Sequence, residues 1–248
     1  MVRPLWHSLL GFVLMSVGMA VLDGAHAQTG LLNDTGQTVC YDATNAAVAC
    51  DAATAGNTGT RPHQDGRYGR DAAQAAGMLP AKTGGGAAGF DFSCVLWDGT
   101  MVHSPTCTST LTANTTDTAS ATPATDWACT QDNVTGLLWS LQTRSATWNA
   151  AVAASFPNAG HNTVHRCGHS TGWRLPTRRE LLGIVHWGQV GPSIDAAYFP
   201  ATPRNWHWSS DPAADNALFA WMVYFEDGTP IEYYKTTPYF VRLVRSGP

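Results

Sequence analysis

The stretch Thr171–Leu182, TGWRLPTRRELL, constrains this chain more than any other. Leu175 precedes Pro176, and the clash with the proline ring pushes it out of the helical region, so the chain arrives extended. Thr177 is then a natural N-cap, and Glu180 three residues on completes a capping box. Leu181, Ile184 and Val185 follow at helical spacing, and Gly188 is the expected stop. Arg178 and Arg179 sit badly in this picture. In a first turn the helix dipole disfavours positive charge by about 0.3–1 kcal/mol each. Two explanations stand: partner carboxylates or solvent offset the cost, or the arginines meet an anionic ligand.

Composition places the chain outside the cell. Arg3, the apolar run Ser8–Leu22 and the small residues Ala25 and Ala27 read as a secretory signal, residues 1–27, cleaved after Ala27. No later segment is apolar enough to span a membrane, so no integral membrane segment is expected after cleavage. The expected location is secreted, periplasmic or cell-surface. With 44% hydrophobic residues and a net charge of −4, the chain has material for a core and no basic field for nucleic acid. Export puts Cys40, Cys50, Cys94, Cys107, Cys129 and Cys167 in an oxidising compartment. Sequence alone cannot choose among their pairings. Nearest-neighbour pairing, Cys40–Cys50, Cys94–Cys107 and Cys129–Cys167, is the expectation, each bridge adding about 2–4 kcal/mol.

Several motifs follow one another in a fixed order. They are DNVTGLLW at 132–139, TGWRLPTRREL at 171–181, PSID at 192–195, WHWSS at 206–210, FEDG at 225–228 and YFVRLVR at 239–245. The succession resembles the Lcl C-terminal domain family, a bacterial extracytoplasmic group, over roughly Trp127–Arg245. The RLPTxxE core, with Trp173, Arg174, Pro176, Thr177 and Glu180, also resembles the formylglycine-generating-enzyme superfamily. More loosely, TGQTVCYD at 35–42 and QDGRYGRD at 64–71 are similar to segments that often precede the domain. The resemblance implies a C-type-lectin-like fold. By the same analogy, some relatives form homotrimers whose basic surfaces bind sulfated glycosaminoglycans. Oxidase members of the superfamily hold copper(I) with a cysteine pair, and thiolates suit that metal. No cysteine follows Cys167, so formylglycine chemistry, a metal site and any other cofactor are not expected.

Read in order, residues 28–126 form a loop-rich region with β-hairpins at Thr38–Cys50 and Phe90–Val102, the second turning at Asp98-Gly99. Ala52–Gly89 and Ser104–Thr125 read as linkers. The compact domain occupies 127–248. Gly136–Trp139 is a short buried strand, and Ser145 caps a helix with Trp148, Ala151, Val152 and Ser155 on one face, ended by Pro157 and Gly160. After the RLPT helix come strands at Trp206–Ser209, Leu218–Glu226, Ile231–Tyr234 and Tyr239–Arg245. Two helices beside a small, mostly antiparallel sheet make an α+β class.

No catalytic motif is present, so no enzyme is expected. His161, His165 and His169 share a helical period but lie between Gly160 and Gly168, so a polar loop competes with a zinc site. Asp211, Asp215, Glu226, Asp227 and Glu232 read as solvated turns or a calcium site. Trp206 and Trp208 alternate in a strand and face the same side, either as core or as a sugar-stacking platform. The expectation is an exported, non-catalytic recognition or adhesion module. Its ligand is a glycan or a surface protein, met by loops from about Gly188 to Asp215, with Trp206, Trp208, Arg178 and Arg179 as candidate contacts. A catalyst on the formylglycine-generating scaffold and a structural piece of an envelope assembly are the alternatives.

Overall fold

A computed structural model describes residues 33–42, 44, 46–48, 50, 64–116, 122–152 and 166–247. The expected signal sequence and its cleavage site, residues 52–63 of the first expected linker, Ser155, Pro157, Gly160, His161 and His165 fall outside the described residues.

The described residues build a small hairpin, β1 (Cys40–Tyr41) with β2 (Ala47–Val48), and a nine-stranded sheet. The sheet comprises β3 (Phe92–Leu96), β4 (Met101–Val102), β5 (Thr112–Ala113), β6 (Asp126–Asp132), β7 (Leu137–Ala146), β8 (Trp206–Pro212), β9 (Phe219–Tyr224), β10 (Pro230–Tyr234) and β11 (Tyr239–Ser246). Its order is β10-β9-β8-β11-β7-β6-β3-β4, with β5 beside β6. Pairing is antiparallel except at β8–β11 and β5–β6. Helices are short: α1 (Asp65–Tyr68), α2 (Arg70–Ala75), α3 (Cys107–Thr110), α4 (Trp148–Val152) and α5 (Arg178–Leu182).

This corrects the expected two-helix, C-type-lectin-like α+β class. Among the described residues strand far outweighs helix. Two causes combine. The strands β3, β4 and β5, which precede Trp127, join the same sheet as β6 to β11. The RLPT helix is also cut down to five residues, and the helix expected from Ser145 begins only at Trp148. Ser145 does not cap a helix, because Arg144, Ser145 and Ala146 pair with Val241, Phe240 and Tyr239 of β11. Pairing with a neighbouring strand outweighs a local capping preference. Thr147 takes the cap position instead, its Oγ1 accepting the Ala150 N–H at 3.4 Å. The RLPT helix stops at Gly183, well before Gly188, yet Ile184 and Val185 are still buried.

The capping box is present in full: Thr177 Oγ1 accepts the Glu180 N–H at 3.2 Å, and Glu180 Oε2 accepts the Thr177 N–H at 2.7 Å. Arg174 clamps the same carboxylate with two bonds of 2.8 and 2.7 Å. It also pairs through its backbone with Val244 of β11, so the motif is stitched to the sheet.

Strand alternation covers both faces of the sheet. Phe92, Cys94 and Leu96 of β3 and Trp139 and Leu141 of β7 join one cluster, with Leu181, Ile184 and Phe199. Val95, Leu138, Val241, Leu243 and Trp208 join the other, with Trp173 and Leu175. Between the pairs Arg242↔Thr143 and Val244↔Trp139 the β7–β11 ladder slips. Arg242, fully buried, spans that slip: its guanidinium donates to Ser140 O (2.6 Å), Leu141 O (3.1 Å) and Thr202 Oγ1 (2.7 Å). Burial lowers its pKa to about 9. The three disulfides are Cys40–Cys50, Cys94–Cys107 and Cys129–Cys167, the nearest-neighbour set. The last ties β6 to a turn whose Gly168 packs backbone to backbone on Gly99; a Cβ at either would sit about 3 Å from the other's Cα.

Candidate binding cleft

Residues before β1 run along the domain because buried polar groups hold them there. Asn33, fully buried, exchanges hydrogen bonds with the backbone of Asp91 and donates to Asp132 Oδ1 at 3.0 Å. Asp34 accepts the Gly36 N–H at 2.8 Å and the Arg70 N–H at 3.1 Å. The segment then meets the loop after α5: Trp187 N donates to Thr35 O at 2.8 Å, and Gln37 Nε2 donates to Trp187 O at 3.1 Å. Gly36 is required at this contact. Its φ is +77°, and a Cβ would lie 2.5 Å from His186 Nδ1.

Past Thr38 the chain becomes β1, and alternation decides what it presents. Cys40 turns inward to its disulfide and is fully buried, so its neighbours Val39 and Tyr41 point out, 44% and 40% exposed. Opposite them stands Trp187, 42% exposed. Between these walls lies a cleft of about 360 Å³, lined by residues 36–39, Tyr41, Ala87, Ala88 and 186–188. Its floor is pinned from behind. Asp195 Oδ2 accepts the Ala87 N–H at 2.7 Å, and the Lys82 ammonium donates to Ala88 O and to Gly86 O.

His186 is the buried titratable group of the lining. Its Nδ1 accepts the Gly188 N–H at 3.1 Å, which fixes the neutral Nε2–H tautomer and shapes the turn that displays Trp187. Its ring lies 5.6 Å from Phe90. Burial holds the imidazole below its ordinary pKa, against the opposing pull of Asp195 and Asp34.

The residues singled out in the sequence lie elsewhere. Trp208 is fully buried and donates its indole N–H to Ala146 O at 3.2 Å, so it offers no face to a ligand. Trp206 is half-buried and stacked on Tyr224 at 4.4 Å. Arg178 lies 3.9 Å over the Trp221 ring, and its backbone N–H donates to Asp211 Oδ2 at 2.5 Å. The partner carboxylate thus sits at the helix N-terminus, where the dipole favours it, and the arginine gains an aromatic face. Arg179 is exposed. Asp227 serves its own turn, accepting the Thr229 N–H. Among the described residues no group of His, Cys, Asp and Glu is arranged to hold a metal ion.

The profile of the Lcl C-terminal domain family matches residues 128–245. This part of the chain is an Lcl C-terminal domain. No curated protein matches the chain. Within the Lcl C-terminal domain the loop after the RLPT helix delivers His186, Trp187 and Gly188 to the cleft, while residues 36–39, 41, 87 and 88 come from before it. The sequence signal for that second wall was Val39-Cys40-Tyr41: a cysteine committed to a disulfide turns its strand neighbours outward.

Proposed function

We propose that this protein is an exported, non-catalytic recognition module that holds a glycan or a surface protein in the cleft between residues 36–41 and the Trp187 loop. One observation carries the reading: Val39, Tyr41 and Trp187 stand 40–44% exposed around a single opening. Apolar groups gathered at one place on a surface mark interaction sites, and Trp and Tyr give large rigid contacts with a polar tip. A non-catalytic role is supported by the lining itself. Among the described lining residues the titratable side chains are His186 and Tyr41, and His186 Nδ1 already accepts the Gly188 N–H. Export is supported by three disulfides, which persist in oxidising compartments, and by N-terminal residues that read as a leader ending at Ala27. Intact mass of the exported chain, starting at Gln28, checks the leader.

The test is retention of the labelled mature protein on whole cells and on a broad glycan array. Trp187→Ala and Tyr41→Ala are expected to lose binding with an unchanged melting temperature, while Trp206→Ala keeps it. Wild-type retention by both cleft variants would refute the assignment.

A further inference from the structure

We infer that the cleft takes an uncharged glycan end group and rejects sulfated or carboxylated ones; this rests on the recognition reading above. The argument is one of charge and shape. Among the described residues no Lys, Arg, Asp or Glu lines the cleft. Recognition there must come from aromatic faces, from the Thr38 hydroxyl, the Gln37 amide and the backbone. Those are the groups that suit a pyranose, whose C–H face is apolar and whose rim is hydroxyl. The indole of Trp187 and the phenol of Tyr41 supply the faces, one from each wall.

The ground behind the lining is acidic. Asp34 bonds the Gly36 N–H, Asp195 bonds the Ala87 N–H, and Asp65 accepts the Thr35 hydroxyl at 2.5 Å, with Asp71 nearby. Against these carboxylates stand, among the described side chains, the cations Lys82 and Arg70. The Lys82 ammonium is half-buried and turned onto the Gly86 and Ala88 carbonyls. A sulfate or uronate entering the cleft would therefore give up hydration for a site with no cation among its described lining residues and with the carboxylates of Asp34, Asp65 and Asp195 behind it. A hydroxyl end group loses far less. A volume of about 360 Å³ is at the small end of ligand sites, which suits a chain terminus better than the middle of a long polymer.

The experiment is an array of matched glycans that differ only in sulfation or in a carboxylate, probed with the mature protein, Trp187→Ala, Tyr41→Ala and Trp206→Ala. Neutral members are expected to bind, with anionic partners weaker. Each cleft variant should weaken neutral binding by about tenfold or more, as loss of an aromatic face does. Raising salt should narrow the gap between neutral and anionic members, because it screens the repulsion. Binding confined to anionic glycans and abolished by Trp187→Ala would overturn the inference and leave the cleft as the recognition site. Silence on the array with a protein captured through the cleft would also overturn it, in favour of a protein ligand. Glycan binding indifferent to both cleft variants would sink the cleft assignment as well.

Discussion

The RLPT motif permits a quantitative prediction at Glu180. Its carboxylate makes three hydrogen bonds, two to Arg174 at 2.8 and 2.7 Å and one to the Thr177 N–H at 2.7 Å. The capping bond contributes about 1 kcal/mol. The Arg174 pair is bidentate but uneven in burial: Glu180 is 15% exposed and Arg174 is 37% exposed. Screening on the arginine side places it between a surface and a buried bridge, at about 1–2 kcal/mol. Glu180→Ala should therefore cost about 2–3 kcal/mol, and Glu180→Gln, which can still reach the cap, about 1–2 kcal/mol. Hydrogen bonding to Arg174 and Thr177 outweighs burial and holds the Glu180 pKa below its ordinary 4.5. A depressed carboxylate pKa contributes stability above the unfolded value and loses it as pH falls through the folded one. The gap between wild type and Glu180→Gln should thus be constant near neutrality and shrink as pH falls below the ordinary value of 4.5 and on through the lowered folded one. Urea denaturation with disulfides intact, read as midpoint shifts at constant slope, measures both. A Glu180→Ala cost under about 0.5 kcal/mol, or a gap that persists at low pH, would refute the argument.

Arg242→Met should lower stability by about 3–5 kcal/mol, because it removes the donor from the Ser140 and Leu141 carbonyls and the Thr202 hydroxyl inside the sheet; a thermal melt near wild type would contradict this. Replacing Cys40 and Cys50 by serine releases the β1–β2 hairpin, whose bridge spans 10 residues and is worth about 2–3 kcal/mol. Amide exchange should then speed up in the hairpin but not in β7 or β11, and equal acceleration in both would mean that hairpin and sheet open as one unit.

Local chemistry was legible wherever short range decides the outcome. The proline, the threonine and the glutamate of RLPT interact within four residues, and the capping box follows from that spacing. The β11 pattern was equally readable: Val241 and Leu243 enter one cluster and Val244 the other, as alternation requires. Class was not legible, because it depends on which strands find one another. Phe92–Leu96 looks like an isolated hairpin arm in sequence, yet it pairs with β6 through Cys94↔Thr130 and becomes part of the main sheet. Ser145 carries the local signature of a helix cap, and only the partner Phe240 on a strand 95 positions later makes it a strand residue.

The cleft was missed for a related reason. Trp206 and Trp208 drew the eye as an alternating pair, but alternation says only that two rings share a side, and here that side is the second core cluster. Exposure had to come from a contact between distant segments. Thr35 and Gln37 hold Trp187 in place through its backbone, from 150 residues away in the case of Gln37. That bonding leaves the indole outside while its own peptide groups are satisfied, which a lone tryptophan in a loop cannot arrange for itself. The cleft is therefore a joint product of the Lcl C-terminal domain and the segment before it. Residues 128–245 alone would carry one wall of the cleft and lack Tyr41, Val39 and Gln37.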